Sequence, residues 1–254
     1  NMSLMSPSLL FSLFASLLMA GGCDHQTAPQ VDLHSDLETH YLLILDGNTG
    51  SARVRLRQFM DEHGETAQPL FLMGLSYHHD KRYVKAVQWF EKSTVYDEST
   101  TAYVPSWHFL GWSHYYLGNA EESKEAFKHY LLLNPDEGDS LFGLGLLAME
   151  DGAFEEAASL FQQSIGVQQD RPKGQAKSMV RLADVYVQRG NRIGAIPLYK
   201  KALELDSDLY EAWYHLATTL NREGKPEESG LALEMFEATR NRVRPELKST
   251  RFPE

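Results

Sequence analysis

The sequence predicts an all-α fold, an α-solenoid of antiparallel helix pairs, and three observations predict it. Small residues recur in pairs twelve positions apart: Gly74 and Ala86, Gly111 and Ser123, Gly145 and Ala157, Ala183 and Ala195, Ala217 and Ser229. Successive pairs step by 37, 34, 38 and 34 residues, the period of a helical repeat array. Each pair is framed by apolar residues at helical spacing, with a turn signal between the two helices. Two antiparallel helices approach closely only where neither carries a bulky side chain, so a small residue on the first helix is expected to face one on the second.

The first segment is of a different kind. Residues 9–20 form a short apolar run, followed by Gly21-Gly22-Cys23 and a polar turn of sequence at Asp24-His25-Gln26. A run of this length is too short to span a bilayer and has the proportions of a signal-peptide core, so residues 1–22 are expected to be a signal peptide. The residues Ala20-Gly21-Gly22-Cys23 resemble a bacterial lipoprotein lipobox. That resemblance implies lipid on the Cys23 thiol, removal of the preceding peptide, and residence in the bacterial cell envelope, on a membrane facing the periplasm or exterior. Two or three acyl chains anchor a soluble domain durably, at roughly 0.8 kcal/mol per buried methylene. A conventional or uncleaved signal peptide, or a cytoplasmic protein, are the other readings of this segment. Cys23 is the single cysteine, so the fold is expected to stand without a disulfide. Residues 23–32, with Gln26, Thr27, Pro29 and Gln30, read as a polar tether.

Residues 33–66 fit the repeat frame weakly. Gly47 precedes Lys81 by one period at the turn position, and Ala52 precedes Ala86. This is either a divergent opening repeat or a plain capping hairpin, helical in both cases. Asp46-Gly47-Asn48-Thr49-Gly50 between its helices reads as a turn.

Five units follow, at 67–100, 104–137, 138–171, 176–209 and 210–243. The second reads Trp107-x2-Leu110-Gly111, Tyr115, Gly118, Phe127 and a closing Asn134-Pro135; the fourth reads Leu182-Ala183-x2-Tyr186, Gly190, Ala195-x3-Tyr199, Ala202 and Asp206. These resemble the tetratricopeptide repeat, whose signature has the same spacing on 34 residues. Local departures are expected at Pro197, inside a second helix, and at 101–103 and 172–175, where extra residues lengthen two connections. Residues 244–254 form a basic tail.

The resemblance implies a non-catalytic scaffold that binds other proteins, with the inner surface lined by the fifth, ninth and twelfth residue of each unit. Carried onto this sequence, those positions are Phe71, Leu75 and His78; His108, Trp112 and Tyr115; and Phe142, Leu146 and Met149. Such an apolar, aromatic stripe suits an amphipathic helix or an apolar extended segment of a partner. Two competing readings stay open: that the chain's own helix near Leu37 to Leu45 fills the groove, and that some of these residues pack between units. The family's carboxylate clamp does not carry over, because Phe71 and Leu75, or His108 and Trp112, hold its lysine and asparagine positions; Lys177 and Arg181 are an isolated basic pair.

Composition and motifs narrow the classes. A net charge of −11 disfavours nucleic acid as a partner. The pairs Glu121-Glu122, Glu155-Glu156 and Glu227-Glu228 are expected in first turns, where they suit the helix dipole rather than chemistry. No catalytic or cofactor motif is recognised, and no cofactor or metal is expected. The alternative to a scaffold is an accessory or undetected enzyme using a His-rich rim at His78, His79 and His108.

Overall fold

A computed structural model describes residues 35–97 and 105–247. The expected signal peptide and tether, Cys23 included, lie outside the described residues, as do the insertion at 101–103 and the last seven positions of the tail. The described residues contain twelve α-helices and no strand: α1 (Ser35–Leu45), α2 (Thr49–His63), α3 (Ala67–His79), α4 (Tyr83–Asp97), α5 (Ser106–Leu117), α6 (Ala120–Leu133), α7 (Gly138–Glu150), α8 (Phe154–Val167), α9 (Pro172–Gln188), α10 (Arg192–Leu205), α11 (Tyr210–Arg222) and α12 (Pro226–Val243). Among these described helices, none is long and apolar enough to cross a membrane.

Each helix packs on the next, and the first helix of each pair also touches the first helix of the following pair. This is the stacking of a solenoid. The opening pair α1–α2 obeys the same rule. Leu37 and Ile44 of α1 are buried, α1 touches both α2 and α3, and Thr49 Oγ1 and Arg53 of α2 donate to the Asp80 carboxylate, each at 2.8 Å. Helix α1 is thus placed as the first helix of a stacked pair.

The hairpin turns share one backbone device. One or two residues past each first helix the chain turns left-handed, at Gly47, Gly118, Gly152, Gly190 and Gly224, with φ between 72° and 78°. Lys81 holds the same place with φ 57° and is the non-glycine among the six. An L side chain there costs about 1–2 kcal/mol, so the second hairpin carries strain that the others avoid.

The small pairs do two jobs. At Gly111 and Ala217 the carbonyl accepts from the hydroxyl of its partner serine, Ser123 at 2.8 Å and Ser229 at 2.9 Å. The absent side chain also makes room for a ring one turn further along the second helix. A Cβ on Gly74, Gly111 or Gly145 would stand 2.5, 2.6 and 2.6 Å from the nearest ring atom of Phe90, Phe127 and Phe161 respectively. The close approach therefore serves an aromatic side chain as well as the two backbones. Each ring is in turn covered by the following unit: Phe90 lies 5.9 Å from Phe109, and Phe127 closes on Gly143.

Two joints are fastened by paired serines. Ser93 donates to the Ala67 carbonyl at 2.8 Å and lies 2.7 Å from Ser106 Oγ of the next unit; Ser164 donates to Gly138 O at 2.7 Å and lies 2.8 Å from Ser178 Oγ. All four side chains are fully buried, so the hydroxyls satisfy one another where water does not reach.

One expectation needs correction. Residues 172–175 do not lengthen a connection; they extend α9 by a turn, making it 17 residues long. Pro172 sits at the first helical position, where its fixed φ favours the helix and its missing N–H costs nothing. Pro197 lies inside α10, which runs on to Leu205. The three glutamate pairs fall in the first turns of α6, α8 and α12, as expected.

Candidate functional site

Helices α5 and α7 carry the candidate residues of the second and third units. Trp112, Tyr115, Phe142, Leu146 and Met149 are half-buried on them. The Trp112 indole is the hub: its ring lies 5.2 Å from Phe127, 5.6 Å edge-on to Tyr115, and 6.4 Å from Phe142. Phe142 in turn lies 5.7 Å from Phe161 in the core. Each side chain has one side packed between units and another at the surface. The packing reading is therefore right for part of every residue, and each keeps a part in contact with solvent.

A polar margin borders it. The Tyr115 hydroxyl donates to Glu150 Oε1 at 2.8 Å, and burial together with that carboxylate pushes the phenol up to about 12. On α9, Arg181 pairs with Asp184 at 3.0 Å, so the basic residue has its counter-ion in place. Asp184 also accepts from Tyr199 at 2.7 Å and lies 2.6 Å from His215 Nδ1 of the fifth unit. Burial alone would raise its pKa; the bonds from His215 and Tyr199, with Arg181 beside it, hold it below the usual range. The same carboxylate and burial push Tyr199 upward.

The expected stripe does not run through the first unit. Phe71, Leu75 and His78 are buried, as is His108 at the start of the second. Phe71 is packed on Phe90 and Phe109, with ring centroids at 5.9 and 5.7 Å. His78 Nδ1 lies 2.9 Å from the buried Ser113 hydroxyl. These four side chains are core, because rings at these positions fill the joint to the next unit instead of facing outward. The half-buried aromatic and Met side chains belong to the second and third units.

His108 forms a cluster that sequence reasoning missed. Its Nδ1 stands 2.8 Å from Ser140 Oγ and 3.3 Å from Glu137, and its Nε2 stands 3.5 Å from Asp139. Glu137 also caps α7, accepting from the backbone N–H groups of Asp139 at 3.2 Å and Ser140 at 2.6 Å. Burial works against its charge, but His108 and the Ser140 donors overcome that and keep it ionised, at about 2. Asp139 is held in the opposite direction: burial and the Glu137 charge raise it, and His108 and Lys177 only partly compensate. The indole N–H of Trp112 leans toward Asp139 without reaching an acceptor at hydrogen-bond distance. A signal existed in the sequence, since Ser106, Ser140 and Ser178 repeat at one frame position. Where two other joints set serine against serine, this one sets serine against histidine.

The His-rich rim does not form. Phe109 lies against both His78 and His108, at 5.5 and 5.0 Å, and each imidazole is committed to a serine. Among the described residues no group of three His, Cys, Asp or Glu side chains is placed to hold a metal ion.

Three family models described as tetratricopeptide repeat match residues 110–173, 176–209 and 198–230. One curated relative, the photosystem I assembly protein Ycf3 of Acaryochloris marina, is 25% identical over 120 residues, 47% of this chain; the match spans 63% of that protein's length. Among solved structures, pilF of Pseudomonas aeruginosa is similar with a TM-score of 0.68 at 14% identity, over 82% of this chain and 90% of that one. The C-terminal part of a repeat protein from Cytophaga hutchinsonii gives 0.63 at 14% identity, over 81% and 80%. MamA gives 0.57 at 16% identity, over 67% and 95%. At these identities the structural likeness speaks for the fold.

Proposed function

This chain is a tetratricopeptide repeat protein, and on that premise we propose that it is a membrane-anchored scaffold that recruits or organises cell-envelope proteins. Proteins of this fold are in general non-catalytic and bind other proteins. The observation that supports the finer reading is the set of half-buried apolar side chains on α5 and α7: Trp112, Tyr115, Phe142, Leu146 and Met149. Aromatic and methionine side chains rooted in a rigid core lose little conformational freedom on binding, so they anchor a partner efficiently. The surface is apolar in the middle and polar at its margin, which fits an amphipathic helix or an apolar extended segment. The anchor rests on the lipobox-like Ala20-Gly21-Gly22-Cys23.

Two measurements test it. Trp112→Ala and Phe142→Ala are expected to weaken capture of envelope proteins by the purified chain by about tenfold each, the usual loss for a buried aromatic anchor, with helical circular dichroism unchanged. Equal capture by wild type and both variants overturns the groove. Cys23→Ser is expected to abolish fatty-acid labelling and move the chain to the soluble fraction; unchanged labelling and fractionation overturn the anchor.

A further inference from the structure

At each internal joint, one ring of the second helix is sealed by the first helix of the following unit. The ring positions are Phe90, Phe127, Phe161 and Tyr199, each no more than 1% exposed. The seal is visible at Phe90 against Phe109, at Phe127 against Gly143, and at Tyr199 against His215, 6.0 Å away. One period on, the fifth unit has Leu233, and it is 41% exposed. The neighbouring positions behave alike. Val180 is buried in the fourth unit and Tyr214, its equivalent in the fifth, is 47% exposed; Ala202 is fully buried and its equivalent Phe236 is half-buried. Leu233, Phe236 and Tyr214 therefore form an open apolar end face, with Tyr214 and Phe236 rings 5.5 Å apart.

The charges on this face say what fits it. Arg240 lies over the Phe236 ring at 5.0 Å, with its Nε reaching no acceptor, and the exposed Glu237 stands one turn before it. Acid and base one turn apart on a single helix are complementary to their own antiparallel image. The opposite end of the array fits less well: beside Leu42, α1 exposes Ser35, Asp36, Glu38 and Thr39, so head-to-tail stacking would set apolar side chains mostly on polar ones.

We propose that the end face of α11 and α12 binds a second copy of this chain, forming a two-fold dimer through Leu233, Phe236 and Tyr214, with each Glu237 paired to the other copy's Arg240. An antiparallel crossing near Phe236 and Glu237 brings the leucine and the ring of both copies together and sets the charges within reach. Such an interface is isologous and closes at two, so it does not propagate into fibres. It lies apart from the Trp112 surface and leaves that surface free in both copies.

Sedimentation equilibrium of the full chain tests this, with loading varied from about 1 to 200 μM, the range expected for a modest interface. The average mass is expected to climb from one chain toward two. Phe236→Glu and Glu237→Arg are each expected to hold the mass at one chain with unchanged helical circular dichroism. The double reversal Glu237→Arg with Arg240→Glu is expected to restore the dimer, which a merely misfolded or differently covered surface would not do. A mass of one chain at every loading, as when another segment or protein occupies the face, overturns the proposal. So does a dimer that survives Phe236→Glu, or a double reversal that stays monomeric.

Discussion

Gly145→Ala adds one methyl group where a ring already stands. The new carbon would lie 2.6, 2.8 and 3.0 Å from Cε1, Cδ1 and Cζ of Phe161, against an ordinary carbon contact of about 3.5–4.0 Å. The ring must move by roughly 1 Å, the shortfall in those contacts. It has little freedom to do so, being fully buried, 5.7 Å from Phe142, and packed with Leu182 and Val185 of the next unit. Overpacking of this kind costs about 1–3 kcal/mol, and the gain in helix propensity returns about 1 kcal/mol. The expected net loss is about 0–2 kcal/mol. Gly166→Ala is the control: it lies in α8 with nothing within 4 Å of the added carbon, so the same substitution is expected to stabilise by about 0.5–1 kcal/mol. Urea denaturation of wild type, both variants and Gly145→Ala/Phe161→Leu measures all of this. The double variant is expected to lose less than the sum of its parts. A Gly145→Ala midpoint raised above wild type as far as that of Gly166→Ala refutes the reasoning.

Lys81→Gly is expected to raise stability by up to about 1 kcal/mol, because relief of left-handed strain exceeds the entropy cost of glycine; the urea midpoint reads it. Glu137→Ala removes the cap of α7 and the carboxylate 3.3 Å from the buried His108 ring, and is expected to cost about 2–3 kcal/mol at neutral pH in the same assay. Glu137 has a folded pKa of about 2, below the ordinary value of 4.5. Its contribution is therefore complete above pH 4.5 and is lost as pH falls toward 2, so the destabilisation by Glu137→Gln should shrink across that interval. Asp139 is raised to about 6, so the folded state favours its proton, and that favour is lost as pH rises through 6. Asp139→Asn is expected to stabilise relative to wild type more at pH 7 than at pH 4. Asp184→Ala strips Tyr199, His215 and Arg181 of a shared acceptor and is expected to cost about 2–4 kcal/mol, read from thermal denaturation.

What was legible in the sequence is what the backbone imposes at fixed spacing. Gly118, Gly152 and Gly190 recur because a left-handed turn recurs, and Gly74, Gly111 and Gly145 recur because a ring must fit above them. Such requirements leave the same residue type at the same frame position. The candidate site residues divide by burial. Trp112, Tyr115, Phe142, Leu146 and Met149 do reach the surface, whereas Phe71, Leu75, His78 and His108 are taken up by the core. Frame position alone does not separate the two cases, since whether a ring points out or seals a joint depends on what the next unit offers it. Glu137 was hidden for the same reason. Beside Asp136 it reads as a solvated pair after a helix, and only folding brings His108, 29 residues earlier, to its carboxylate.

The joints of this array are not alike, and a linear stack yields where its coupling is weakest. Hydroxyl paired with hydroxyl, as at Ser93 with Ser106 and Ser164 with Ser178, holds equally well in acid or in salt. The joint between the second and third units instead depends on ionised groups around one imidazole. A change of pH therefore acts on this joint, between Trp112 and Phe142, and leaves the serine joints untouched. The joint whose strength follows pH thus runs between the two helices that carry Trp112 and Phe142.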